Sequence, residues 1–379
     1  MGGTFSSQCR PPSVPCFAVL SRVAIPPAMW RLSLMQLSIA VRELHPRRAF
    51  RIARVRTEPI ENVFIRLEFD GVEGFGEASP NAFYAETARG VVEKLESVRP
   101  ALSRRAPASV LDIASLWEEL WPQVAPSRAA QCALDLALWD WLGNCLGVSA
   151  ARLAWDAPFA PVESFCTIGL SSPAELEEKV AELQGSLWIK IKSDHTADLA
   201  PIRYVREKTS ARLAVDANCA WSGHDLPRLC DDLHAIGVEF LEQPFPKGEN
   251  ASLSATKLAL PVLADESCVT EDDVDRVCEH FSGFNIKLVK CGGITPGLRM
   301  LHRGRELGKK VMVGCMLESS VLIAAGAVIG QQTDYADLDG AWLLSDDPFS
   351  GLHFDRGSLR EAAQRPGLGV TPPAGLFGQ

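Results

Sequence analysis

Charged residues recur through the middle of this chain at nearly even intervals, each where a short apolar run stops. Lys192 precedes Asp216 by 24 residues, and Glu242 follows 26 later. Asp265 comes after 23 more, Lys287 after 22, and Asp337 after 50, or two steps of 25. A step of about 25 residues holds one strand, one helix and two short loops. Charges that end successive strands of one parallel barrel converge on its C-terminal mouth. The spacing therefore predicts an α/β barrel that gathers three carboxylates between two lysine-bearing strands.

The rest of the pattern agrees. Short apolar strands are expected at Ser164–Ile168, Leu187–Ile191, Ala211–Val215, Val238–Leu241, Val262–Ala264, Phe284–Leu288, Lys310–Val313 and around Tyr335. Helical stretches separate them, such as Pro173–Gln184 behind the N-cap candidate Ser172. Before this region, Leu32–Arg42 and Glu61–Phe69 alternate as strands, and Asp70-Gly71 marks a hairpin turn. Glu86–Val98 and Val110–Trp121 then take helical spacing, so strands followed by helices predict a small α+β domain. Ser127–Leu146 reads as a long amphipathic helix ending before Gly147. The expected division is a disordered extension over 1–29, the α+β domain over 30–125, the barrel over 126–344, and a segment over 345–379 that returns to the first domain.

Composition narrows the function. Of 379 residues, 47% are hydrophobic and 22% charged, as in ordinary globular proteins. A net charge of −9 argues against nucleic acid or an anionic membrane as partner. No apolar stretch reaches the roughly 18–20 residues of a membrane span. The eleven cysteines are odd in number, form no CxxC pair and sit mostly in apolar runs, which predicts reduced thiols and a cytoplasmic protein. The seven histidines form no ligand pair, so zinc is not expected. Residues 1–29 carry five prolines and no period; either they form a disordered extension, or the chain truly begins at Met29 or Met35.

The chemistry lies in the strand-end charges. Asp216, Glu242 and Asp265, in VDAN, LEQP and ADES, form a hard oxygen set without histidine or cysteine, suited to Mg²⁺ or Mn²⁺. Lys190 and Lys192 stand two apart in WIKIK and so face the same way. Their mutual repulsion is expected to lower the pKa of one of them toward use as a base. Lys287 ends the sixth strand, across the barrel from the second. A carboxylate substrate bound to the metal would have an acidified α-proton, with the enediolate held by the metal and Lys190. Lysines on both faces of the α-carbon permit a 1,1-proton transfer that inverts the centre.

KIK, DAN, EQP, DES and NIKLVKCGGIT, in this order and spacing, resemble the muconate-lactonising subgroup of the enolase superfamily over about residues 30–355. The resemblance implies a capping α+β domain over a (β/α)7β TIM-like barrel, with Mg²⁺ bound and lysine as base. Within the subgroup the same lysines and ligands serve cycloisomerases, o-succinylbenzoate synthases, N-acylamino-acid racemases and dipeptide epimerases. Asp337-Leu338-Asp339-Gly340 on the eighth strand resembles the dipeptide epimerases, where such a pair binds the substrate's ammonium. Two carboxylates on one strand face make a cation receptor. The expected activity is therefore epimerisation of L-Ala-D/L-Glu or a related dipeptide. N-acylamino-acid racemisation, cycloisomerisation and a non-catalytic binding barrel are the alternatives.

The resemblance also implies substrate contacts at Thr167, at Arg54 (or Arg51 or Arg56) in a closing loop, and at Cys315 to Leu317 after the seventh strand. Ser193 after Lys192 departs from the common pattern. Self-association into a homo-oligomer is compatible with the sequence.

Overall fold

The computed structural model describes residues 34–48, 50–52, 55–57, 59–102, 106–255, 257–361 and 365–378. The expected extension over 1–29 lies outside them, as does Arg54.

The chain begins with β1 (Gln36–Leu44), a short hairpin of β2 (Phe50–Ile52) and β3 (Val55–Thr57), then β4 (Ile60–Phe69) and β5 (Val72–Ala78). Strands β1, β4 and β5 form an antiparallel sheet in that order. Phe69 pairs with Val72 across Asp70 (φ 52°) and Gly71 (φ 78°). Two consecutive left-handed residues make the turn whose twist matches a hairpin, as the Asp-Gly pair predicts. Helices α1 (Ala88–Leu102), α2 (Val110–Val124) and α3 (Arg128–Leu146) follow.

Helix α3 departs from the amphipathic expectation, because every residue from Ala129 to Gly143 is buried. One side lies on β5, so closely that a Cβ at Gly74 or Gly76 would collide with the α3 backbone. The other side meets the barrel, where Trp139 Nε1 donates to Thr295 Oγ1 at 3.0 Å. Its two buried carboxylates are satisfied inside. Asp135 accepts from Thr295 N at 3.0 Å, and Asp140 accepts from Phe75 N at 2.8 Å. A helix pressed between two layers has no wet face to mark with charge.

After α4 (Ala150–Trp155) and β6 (Val162–Glu163), strand and helix alternate: β7 (Cys166–Ile168), α5 (Pro173–Glu182), β8 (Trp188–Lys192), α6 (Ala200–Lys208), β9 (Arg212–Asp216), α7 (Leu226–Ile236) and β10 (Val238–Glu242). A 3₁₀ stretch, Lys247–Ala255, then leads to β11 (Val262–Ala264), α8 (Val274–Cys278), β12 (Gly283–Lys287), α9 (Leu288–Cys291), α10 (Ile294–Glu306), β13 (Lys310–Gly314), α11 (Ser320–Gly330) and β14 (Tyr335–Asp337). Ser172 caps α5 in a full capping box with Glu175. The eight strands β7 to β14 are parallel neighbours in chain order. Phe165 N donates to Ala336 O at 2.8 Å and joins the first strand to the last. The predicted TIM-like barrel is present, with the separate antiparallel sheet as its cap.

Period-two alternation divides each barrel strand. Phe165, Ala214, Phe240, Leu263 and Met312 point inward as one apolar cluster, with Trp188 and Tyr335 packed on it. Two residues further along come Thr167, Asp216, Glu242, Asp265, Gly314, Lys190 and Asp337. The floor of the barrel is apolar, and its mouth is charged. Beyond the barrel, β15 (Leu352–Asp355) pairs with β16 (Ser358–Glu361), which in turn pairs with β6. Phe349 lies 5.6 Å from Phe64, and Phe377 stacks on Phe75 at 6.0 Å, so the last segment packs on the cap sheet.

Candidate active site

The parallel register puts the mouth residues side by side. Lys192 pairs with Asp216 between β8 and β9, and Asp216 with Glu242 between β9 and β10. All three expected ligands are buried: Asp216 and Glu242 are fully enclosed, and Asp265 is 2% exposed. Lys190 Nζ lies 3.0 Å from Glu242 and 3.8 Å from Asp216, and also binds Asp337. Lys192 Nζ donates to Asp216 Oδ2 at 2.5 Å. Lys287 Nζ stands 2.9 Å from Asp265 Oδ2, on the far side of the mouth.

These pairings set the protonation states. Burial alone would lower Lys190, but the charges of Asp337, Glu242 and Asp216 outweigh it and hold the pKa well above the usual range. Lys287 behaves the same way, with Asp265 and Glu242 overcoming burial. Of the pair Lys190 and Lys192, repulsion is expected to lower one, and Lys190 shows no such lowering. It is surrounded by carboxylates, so attraction wins over the nearby ammonium. Burial raises Asp265, but Lys287 and Lys290 reverse that and take it well below the usual carboxylate range. Glu242 is raised, by burial first and then by the charge of Asp216.

The donor set suits a divalent cation. Three buried carboxylates that repel one another need positive charge, and lysines supply it in this arrangement. Among the described residues no three acidic side chains converge as a ready-made cage. Lys190 instead stands within ion-pair reach of both Asp216 and Glu242. The Oδ1 atoms of Asn218 and Asn285 are buried without a hydrogen-bond partner among the described residues. Their amide nitrogens already donate to Asp216 and Glu242, at 3.2 and 2.8 Å. Hard oxygen ligands with spare lone pairs beside them are what Mg²⁺ takes, often with water.

Just past the end of the eighth strand, Asp339 Oδ2 accepts from Thr167 N at 2.6 Å, and Thr167 Oγ1 donates to Asp337 Oδ1, the strand's last residue, at 3.2 Å. Asp339 is 2% exposed and has no ion-pair partner among the described residues. Burial, then the charge of Asp337, raises its pKa. Gly340 allows this strand end to approach the seventh, since a Cβ there would lie 2.5 Å from Met316 O.

The softer expectations divide. Cys315 and Leu317 are each 9% exposed, and the Leu317 carbonyl is held by Asn62 of the cap at 3.2 Å. Arg51 is engaged elsewhere, donating to Leu170 O at 3.2 Å and pairing with Glu175. Several residues at the mouth carried too weak a sequence signal to single out. Lys290 lies inside the quoted run NIKLVKCGGIT, and its Nζ donates to Asp265 Oδ1 at 2.6 Å and Cys268 O at 3.0 Å. Asn285 stands two before Lys287, a position that alternation could have flagged. Tyr84, from the cap, has its hydroxyl pushed up to about 12 by burial, in the field of Lys290, Asp265 and Lys287. Met316 lies with its Sδ 3.9 Å from Lys287 Nζ.

Two sequence profiles match the chain. One, described as enolase C-terminal domain-like, covers residues 174–375. The other, the mandelate racemase/muconate lactonizing enzyme N-terminal domain, covers 36–154. The chain is 37% identical over 343 residues to an L-Ala-D/L-amino acid epimerase of Maribacter sp., covering 89% of this chain and 99% of that protein. It is 33% identical to the L-Ala-D/L-Glu epimerase of Escherichia coli, covering 82% and 94%. A crystal structure of a dipeptide epimerase from Methylococcus capsulatus, complexed with Mg and the dipeptide L-Arg-D-Lys, superposes with a TM-score of 0.82 at 29% identity, covering 89% of this chain and 99% of that one.

Proposed function

Because the chain belongs to the mandelate racemase/muconate lactonizing enzyme family of the enolase superfamily, we propose that it is a Mg²⁺-dependent dipeptide epimerase. It inverts the α-carbon of the C-terminal residue of L-Ala-D/L-Glu or a related dipeptide. The observation that carries this reading is the Asp337–Asp339 pair at the end of the eighth strand. Asp339 is buried at the mouth beside Asp337, and among the described residues it is Asp339 that lacks an ion-pair partner. A substrate ammonium would supply that partner, whereas an N-acyl group or a lactone brings no cation to it.

Asp216, Glu242 and Asp265 would hold the divalent ion. When bound, it polarises the substrate carboxylate and acidifies the α-proton. The Lys190 ammonium, kept charged by its carboxylate neighbours, stabilises the negative charge that develops on that carboxylate. Lys192 and Lys287 sit on strands at opposite sides of the barrel, so one removes the proton and the other delivers one to the opposite face. Each is tied to a carboxylate, Asp216 or Asp265, before substrate arrives. With those carboxylates engaged in holding an ion, both ammoniums would be free for the α-proton. The barrel floor of Phe165, Phe240 and Met312 closes the site from below against water.

The free thiols of the described residues, most of them buried, support a reducing cytoplasmic setting. Among the described residues no helix is long and apolar enough to cross a membrane. The deciding experiment follows α-proton exchange and epimerisation in D₂O for free-amine dipeptides beside their N-acyl counterparts. Free-amine substrates should be turned over. A preference for N-acetyl or N-succinyl amino acids would move the chain to the acylamino-acid racemases.

A further inference from the structure

The cap sheet reaches the acid–base centre through one buried carboxylate that the chemistry above does not use. Glu77, on β5, is fully buried. It accepts from Ser319 N at 2.9 Å, Ser319 Oγ at 2.6 Å, Leu322 N at 3.2 Å and Asn62 Nδ2 at 2.8 Å. Ser319 and Leu322 lie at the start of α11, just after the loop that follows β13. The same Asn62 amide also donates to Leu317 O, which Ser79 Oγ of the cap reaches at 3.2 Å. Glu318 Oε1 accepts from Met316 N at 2.9 Å. The cap therefore holds this loop at Leu317 and at Ser319, and Glu318 closes it on Met316 N.

What the grip places is Met316. Its Sδ is 3.9 Å from Lys287 Nζ and 4.0 Å from Asn81 Nδ2, another cap residue. Met316 is partly exposed, whereas Cys315 and Leu317 on either side are buried, so its side chain is the part of the loop that faces the mouth. Among the described residues, Lys287 otherwise contacts Asp265 alone as an ion pair. A long ammonium side chain with one ionic partner needs a second wall to fix its direction, and a thioether supplies shape and a weak acceptor.

We infer that Glu77 is a positioning residue for Lys287, acting through Ser319 and the Leu317 carbonyl to hold Met316 against the lysine. The cap thus has a role in aiming one of the two bases. The inference rests on the epimerase reading for its kinetic test, but the clamp itself can be read without substrate.

A loss of aim at Lys287 affects one face of the α-carbon. Lys192→Ala and Lys287→Ala first establish which epimer each lysine serves, from α-proton exchange in D₂O. Glu77→Gln sets an amide donor against the Ser319 and Leu322 donors. It should slow exchange on the Lys287 face by about tenfold or more relative to the Lys192 face, since small misplacements of a catalytic group carry losses of this size. Met316→Ala should give the same one-sided loss. A general structural defect would slow both faces together, and that result, or no slowing at all, overturns the proposal. Should Glu77→Gln fail to fold, Ser79→Ala, which removes one bond to Leu317 O, is read by the same criterion.

A second reading needs no turnover. With methyl-¹³C methionine, the Met316 signal is identified among the six methionines by its loss in Met316→Leu. It should shift in Glu77→Gln and stay in place in the exposed helix variant Glu93→Gln. If the wild type exchanges no dipeptide at all, the epimerase reading falls and this signal alone decides the clamp. An unmoved Met316 resonance would then refute it.

Discussion

The two ends of the barrel strands obey opposite rules. At the floor, Phe165, Phe240 and Tyr335 meet edge-on or tilted, with ring centroids 5.7 and 4.7 Å apart. Two residues further along the same strands, Lys190, Asp216, Glu242 and Asp337 are buried together as ion pairs. The floor contributes stability directly, through apolar area and packing. The mouth concentrates charges whose desolvation cancels much of their attraction. One backbone can carry both because side chains alternate, so changing the mouth does not alter the layer beneath. The contrast teaches that this barrel separates the residues that hold it together from those that do chemistry.

The largest effect should come from the mouth. Replacing Lys192 or Lys287 by alanine should stop epimerisation in both directions, a loss of about 10²–10⁴-fold or more in kcat. Each single variant should retain exchange with the epimer served by its remaining lysine. Chelation should likewise abolish turnover until Mg²⁺ is restored, as should Asp216→Asn, Glu242→Gln or Asp265→Asn, with the fold intact by circular dichroism. Normal epimerisation by either lysine variant, or full activity in excess chelator, would break the assignment of chemistry to this end.

The floor makes the opposite test. Phe240 is fully buried among Phe165, Leu263 and Tyr335. Phe240→Ala should lower stability by about 3–5 kcal/mol in urea titrations. KM and kcat of the molecules that remain folded should hold within a few-fold. A large change in kcat without loss of stability would show that the two layers are coupled, and the comparison would fail.

How much of this was legible in the sequence follows the same division. The mouth was readable because charge at the end of an apolar run is conspicuous, and even spacing turned Asp216, Glu242, Asp265 and Lys287 into successive barrel strands. The Asp70-Gly71 turn and the Ser172 cap were readable because their chemistry is local. Helix α3 was read as amphipathic, since only tertiary contact tells that both its faces are covered. Glu77 carried no signal either. Its meaning lies in Ser319 and Leu322, more than 240 residues away, and no local pattern encodes such a contact. Lys290 was hidden by standing three residues from a stronger lysine in the same run.

A smaller effect should follow at the eighth strand. Asp339→Asn should reduce kcat/KM for free-amine dipeptides by about 30-fold to several thousandfold, the equivalent of roughly 2–5 kcal/mol. Capping the substrate amine should cost the wild type a similar factor and the variant little more, because both changes delete one contact. Additive losses would mean that the ammonium is bound elsewhere. The mouth would then keep its metal and bases but lose its substrate receptor.

The last effect concerns stability rather than rate, and it lies at the border of the mouth. Glu318 is fully buried, and burial, against one hydrogen bond from Met316 N, pushes its pKa up to about 8 from an ordinary 4.5. In the folded chain it therefore keeps a proton that the unfolded chain releases near pH 4.5. The native state binds the extra proton between these values, so stability falls as pH rises through this window. The contribution of this group is complete below about 4.5, declines by at most about 1.4 kcal/mol per pH unit, and is gone once the pH has passed about 8. Glu318→Gln removes the titration but keeps the shape. Urea midpoints of wild type and variant should separate progressively in favour of the variant from pH 5 to 8 and then run parallel. Phe240→Ala, at the apolar floor, should lower the midpoint by the same amount at every pH in that range. If the Glu318 pair ran parallel throughout, the carboxyl would be ionised in the fold, and the mouth would tolerate a buried charge without a direct ion-pair partner among the described residues.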